Sequence, residues 1–142
     1  MGKTNWKRVF LGGVLSGIVF IVLGIIAQMI GLMDIWIPVL ESLGLSTEVN
    51  FVIIILALMM WLVLGVLTVW LYSAIRPRYG AGVKTAVIVG VIVWVLRELY
   101  PAIQSGAYGL YPAKACVIDG LTNLVSCVVA TIIGAWIYKE HP

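Results

Sequence analysis

The chain has 142 residues, 63% of them hydrophobic and only 11% charged, with a formal net charge of +3. An ordinary soluble domain carries ~25% charged residues, so the composition argues against a water-soluble fold and for one integral membrane domain over residues 1–142. No basic run exceeds Lys7-Arg8, which argues against nucleic-acid binding.

Residues 9–33 and 49–75 carry no charged side chain. Since ~20 apolar residues cross the hydrocarbon core as a helix, each stretch predicts a span, at about 9–31 and 49–75. Lys3, Lys7 and Arg8 precede the first run as they would in a signal peptide. That run is too long for an h-region and lacks a small-residue cleavage site after Ala27, so the first span is expected to be retained. In the connection from Asp34 to Glu48, Trp36, Ile37, Leu40 and Leu43 can share one side, which predicts a short helix lying in the membrane interface. Pro77, with Gly80 and Gly82 behind it, is expected to end the second span in a tight turn.

Only twelve uncharged residues, 85–96, separate Lys84 from Arg97. Twelve residues rise ~18 Å, too little for a ~30 Å core. The segment therefore either re-enters or continues through Arg97 and Glu98 to about residue 103. A fourth span follows at about 117–138, with Asp119 near its start. Four spans put Lys3, Lys7, Arg8, Arg76, Arg78, Lys84 and Lys139 on one side and only Arg97 and Lys114 on the other. Positive residues collect on the cytoplasmic side, so both termini and the basic loop of Arg76, Arg78 and Lys84 are expected there. A re-entrant third segment would put Lys139 opposite those other cations. The expected fold class is all-α: a four-helix transmembrane bundle, up-down-up-down, with the interfacial helix in its first outer loop.

Each span carries small or polar residues at helical spacing. Gly13, Gly17, Gly24, Gln28 and Gly31 mark the first, Ala57, Trp61, Gly65, Thr68 and Tyr72 the second, Gly90, Trp94, Arg97 and Pro101 the third, and Asp119, Asn123, Ser126, Ala130 and Gly134 the fourth. Lipid tails give helices no hydrophobic reason to associate, so close approach at small residues and interhelical hydrogen bonds are expected to hold them together. Trp61 and Trp94 should sit at similar depth, where they could touch. Cys116 and Cys127, eleven residues apart on one helix, are separated by ~16 Å, beyond disulfide reach.

Gln28, Arg97, Glu98, Asp119 and Asn123 fall in the outer half of the spans. Charges in hydrocarbon cost a few kcal/mol each, so these groups should pair, face inward or reach the headgroups. Arg97 has Asp119 across the bundle or water above as its expected partner, and Pro101 frees the Arg97 carbonyl from its helical bond. Three readings stay open: a snorkelling span end, a structural ion pair between the third and fourth spans, and a proton or substrate relay. His141 is the only histidine, so no haem, zinc or His-based catalytic site is expected, and no catalytic residue, metal or cofactor is assigned.

Residues 71–85 read Leu-Tyr-Ser-Ala-Ile-Arg-Pro-Arg-Tyr-Gly-Ala-Gly-Val-Lys-Thr. This loop resembles one found in small, uncharacterised bacterial membrane proteins with four predicted spans, and the similarity extends to the glycine-rich first span and the Trp/Tyr close of the fourth. The resemblance implies a multi-pass protein of the bacterial cytoplasmic (inner) membrane and carries no activity. The expected function is a non-catalytic structural, accessory or assembly factor acting through its membrane helices. Its expected partners are the lipid bilayer and a second copy or another membrane protein. The alternative is a small oligomeric transporter or channel. Small multidrug exporters have a comparable size and span count, but their mid-span glutamate is absent from the first span here.

Overall fold

The computed structural model describes residues 4–46, 48 and 50–139. Lys3, counted among the cations of one side, and His141 lie outside the described residues. Every regular element among those described is helical: α1 Trp6–Ala27, α2 Met33–Ser42, α3 Phe51–Tyr79, α4 Val83–Trp94, α5 Tyr100–Ala107 and α6 Ala113–Ile137. A π-turn at Gln28–Leu32 joins α1 to α2, and another at Val95–Leu99 joins α4 to α5. The chain thus forms four helical stretches long and apolar enough to cross a membrane, Trp6–Ser42, Phe51–Tyr79, Val83–Ala107 and Ala113–Ile137.

The helix starts follow from local chemistry. Asn5 Oδ1 accepts the Arg8 backbone N–H at 3.2 Å, and Asn50 Oδ1 accepts that of Val52 at 2.8 Å, so each side chain satisfies one orphan donor. Pro77 does not end the second span, as its sequence position predicts, because it sits in the last turn of α3. It withdraws one helical hydrogen bond, and the Gly80 N–H still closes on the Arg76 carbonyl at 2.9 Å. The turn follows at Gly80 and Gly82, whose φ of 84° and 132° suit glycine alone. Gly31 is a backbone kink rather than a packing contact: at φ 112° it lets the chain bend between α1 and α2. Trp36 of α2 then meets Tyr111 edge-on at 5.2 Å.

α1 packs along α3 and α6, and α4 lies against α6 and touches α3. Glycine sets the first of these approaches. A Cβ on Gly17 would lie 2.7 Å from the Cα of Leu62, one on Gly13 would collide with Val66, and one on Gly65 would strike the Gly13 carbonyl and the Gly17 backbone. Gly134 faces Gly12 and Ser16 of α1, and Gly90 meets Val128 of α6, where an added Cβ would sit 2.8 Å from the Val128 Cα. Gly24 corrects the glycine stripe, since nothing lies within 4 Å of the Cβ it lacks. Ser126 and Ala130 are buried in the fourth span.

Most of the buried hydroxyls bond within their own helix, although Thr85 of α4 donates to the Tyr79 carbonyl of α3 at 3.3 Å and to the Gly80 carbonyl at 2.7 Å. Thr68 donates to the Leu64 carbonyl at 2.7 Å, Ser126 to Thr122 at 3.2 Å and Thr131 to Cys127 at 2.6 Å, each four residues back on its own helix. Such a carbonyl is always within reach, whereas a partner on another helix requires a fixed rotation of both. The Ser16 hydroxyl is buried with no hydrogen-bond partner among the described residues.

Three substitutions read this packing, with different expected signs. Gly65→Ala should lower stability by about 1–3 kcal/mol through overpacking, while Gly24→Ala should leave it unchanged. Ser16→Ala should raise it by about 1 kcal/mol, because an unsatisfied hydroxyl is removed and its Cβ retained. Thermal unfolding of the three variants in one detergent checks all of this. A Gly65→Ala protein that melts with the parent would show that α1 and α3 do not approach at this point.

Candidate functional site

Arg97 and Glu98 stand in the π-turn between α4 and α5. There the Tyr100 N–H reaches back five residues to the Val95 carbonyl, and Pro101 follows without an N–H of its own. This wide turn carries a consecutive pair of charged side chains, both partly buried, toward the neighbouring helices. The guanidinium carbon of Arg97 lies 4.0 Å from the centroid of the Trp61 ring of α3. Its Nη2 pairs with Glu98 Oε1 at 2.8 Å and donates to Asn123 Oδ1 of α6 at 3.5 Å, and its Nη1 reaches Cys127 Sγ at 3.9 Å. Asn123 Nδ2 in turn donates to Asp119 Oδ1 at 2.8 Å.

The ion pair differs from the one expected across the bundle. Glu98 meets the guanidinium directly, and Asp119 is connected to it through the Asn123 amide. An amide suits this place because it accepts from the cation with its oxygen and donates to the carboxylate with its nitrogen. Cys127 is fully buried, with its Sγ against the guanidinium. Both cysteines are free thiols.

Gln28 stands apart from the group. It is exposed, and no hydrogen bond among the described residues connects it to Arg97. It borders a hollow of about 200 Å³ whose wall includes Trp61, so the indole is all they share. Trp61 stacks at 5.5 Å on Phe20 of α1 rather than on Trp94. Trp94 instead donates its Nε1–H to the Gly120 carbonyl of α6 at 2.7 Å, which satisfies an indole that would otherwise be buried unpaired. Trp61 and Cys127 are the members of this site that sequence reasoning missed; the indole is the more instructive. It lies one helical turn before Gly65, on the side facing α1, but its spacing carries no sign of a cation on the other face.

Glu98 and Asp119 also line a small hollow of about 110 Å³ with Trp36, Pro101 and Tyr111. The cations of the 76–84 segment part company. Arg76 is half-buried with its guanidinium 5.5 Å from the Tyr138 ring centroid, whereas Arg78 and Lys84 are exposed. Four apolar helices around an internal charged group are what a multi-pass membrane protein presents. No protein-family model, curated protein or solved structure matches the chain.

Arg97→Ala should destabilise the protein by about 1–3 kcal/mol, below the cost of breaking a fully buried pair because the Arg97 and Glu98 side chains keep 24% and 16% exposure. In double-mutant cycles read by unfolding, Arg97→Ala and Trp61→Leu should couple by about 0.5–2 kcal/mol. Coupling to Asp119→Ala should be weaker, because Asn123 stands between. Additivity in the Trp61 cycle would show that the ring contributes nothing to holding the cation.

Proposed function

We propose that the protein is a structural, accessory or assembly factor of a bacterial cytoplasmic membrane, acting through its helices and not as an enzyme. The observation that carries this reading is the closed state of its charged group. Arg97 is engaged by Trp61, Glu98, Asn123 and Cys127, so the side chains best suited to relay a proton or hold a substrate already serve one another.

The four helices alternate in direction, with both termini and the basic loop in the cytoplasm. Gly13 against Val66 and Gly17 against Leu62 support the alternation, since the contact moves up α1 as it moves down α3. The asymmetry of Lys and Arg supports the orientation. α2 lies in the outer interface, its Trp36 at headgroup level beside Tyr111. Residues 51–60 of α3 are exposed on every side, and this half-helix is where the spans of a partner, or of a second copy, would dock.

A photo-crosslinking residue at Ile55, compared with one at buried Val89, tests the role in native membranes. Ile55 should give one stoichiometric protein adduct and Val89 none. Adducts with lipid alone would contradict an accessory role. The alternative, a small oligomeric transporter or channel, draws on the hollow walled by Glu98 and Asp119. Flux in liposomes abolished by Glu98→Gln and Asp119→Asn would favour it.

A further inference from the structure

A second group of cations is organised at the other ends of the helices. α3 closes with Arg76-Pro77-Arg78-Tyr79, and α6 is followed by Tyr138 and Lys139. Tyr138 is buried, meets the Tyr72 ring edge-on at 6.1 Å, and carries the Arg76 guanidinium over its face. The Tyr72 hydroxyl accepts the Gly82 N–H at 3.1 Å, which pins the turn between α3 and α4. Between these fixed walls is a cavity of about 310 Å³ lined by both Arg76 and Lys139. A second, more open groove of about 580 Å³ is lined by Arg8, Leu11, Trp136, Ile137 and Lys139. Trp136 and Lys139 border both hollows.

We propose that these paired hollows bind the phosphate-bearing headgroup of an anionic membrane lipid. A lipid with two phosphates would fit best, one beside Arg76 and one beside Arg8, with Lys139 between them. The position of Trp136 agrees with this occupant: the indole is 83% exposed at the end of a membrane helix, the level at which tryptophan meets headgroups. Diffuse attraction of a basic surface is a different arrangement, and the molecule contains its own control. Arg78 and Lys84 carry the same charge within a few residues of Arg76 yet line neither hollow. The site requires only that the helices lie in a membrane, and it stands or falls separately from the accessory role.

The full chain in detergent would be titrated with diphosphatidylglycerol, phosphatidylglycerol, phosphatidylcholine and inorganic phosphate, with bound molecules counted by native mass spectrometry. Affinity should fall in that order. Arg8→Ala, Arg76→Ala and Lys139→Ala should each weaken the two-phosphate lipid by about five-fold, and Arg78→Ala and Lys84→Ala by less than about two-fold. Lys139 is exposed, so its variant keeps the packing even if loss of Arg76 disturbs Tyr138. Equal losses at all five cations, or equal binding of phosphatidylcholine, would overturn the site. Inorganic phosphate that displaces lipid at matched concentration would overturn the lipid as occupant, and equal affinity for the one- and two-phosphate lipids would overturn the bridging.

Discussion

A guanidinium placed among apolar helices must find its counter-charge and its hydrogen-bond acceptors inside the protein. Arg97 does so on two other helices at once, through Trp61 of α3 and Asn123 of α6, with Glu98 beside it. Trp61 passes the connection to α1 through Phe20, so one charge ties together all four long stretches. The π-turn belongs to the same solution. It holds both Arg97 and Glu98, and it closes through the Tyr100 N–H on the Val95 carbonyl just before Pro101.

This charged knot works together with a second constraint, the close approach of backbones. α1 meets α3 at Gly13, Gly17 and Gly65, and α6 at Gly12 and Gly134. Those contacts bring α3 near enough to α4 and α6 for the Trp61 ring to reach the guanidinium. The buried Ser and Thr hydroxyls bond mostly to their own helices. Among the described residues the polar links between helices include the Arg97 group, Trp94 to Gly120, and, around the turn from α3 to α4, Gly82 to Tyr72 and Thr85 to Tyr79. A protein held together in this way places its demanding chemistry in its own packing, which is why the group supports a structural reading better than a transport one.

Much of the architecture was legible in the residues. Charge-free runs marked the first two long apolar helices, and the gap between Lys84 and Arg97 left the third either to re-enter or to continue through its own charges, which the distribution of Lys and Arg decided in favour of the continuous helix found at Val83–Ala107. Depth alone brought Arg97, Glu98, Asp119 and Asn123 to one level, where the structure also has them. What could not be read was rotation. Small residues at helical spacing do not say which of them faces a neighbour, so Gly24, which looks at open space, and Gly31, which bends the chain, resembled Gly13 and Gly17. The same gap hid Trp61 behind Arg97 and moved Glu98 ahead of Asp119 as its ionic partner. The basic loop read as one group of cations on one side, yet the Tyr72–Tyr138 pair beside which Arg76 lines a cavity joins positions 66 apart, a distance no local pattern spans.

If the Arg97 group is a structural knot, no water-filled path leads past the guanidinium to the Cys127 thiol beneath it. Cys127 reports on this directly, because its thiol is fully buried 3.9 Å from the guanidinium. In a Cys116→Ala variant reconstituted in bilayers, a membrane-impermeant, hydrophilic maleimide applied from both sides should leave Cys127 unmodified, and should label it completely once the protein is unfolded in a harsh detergent. Labelling of Cys127 in the intact bilayer, at the rate of an exposed thiol, would reveal a water-filled path to Arg97 and contradict the account.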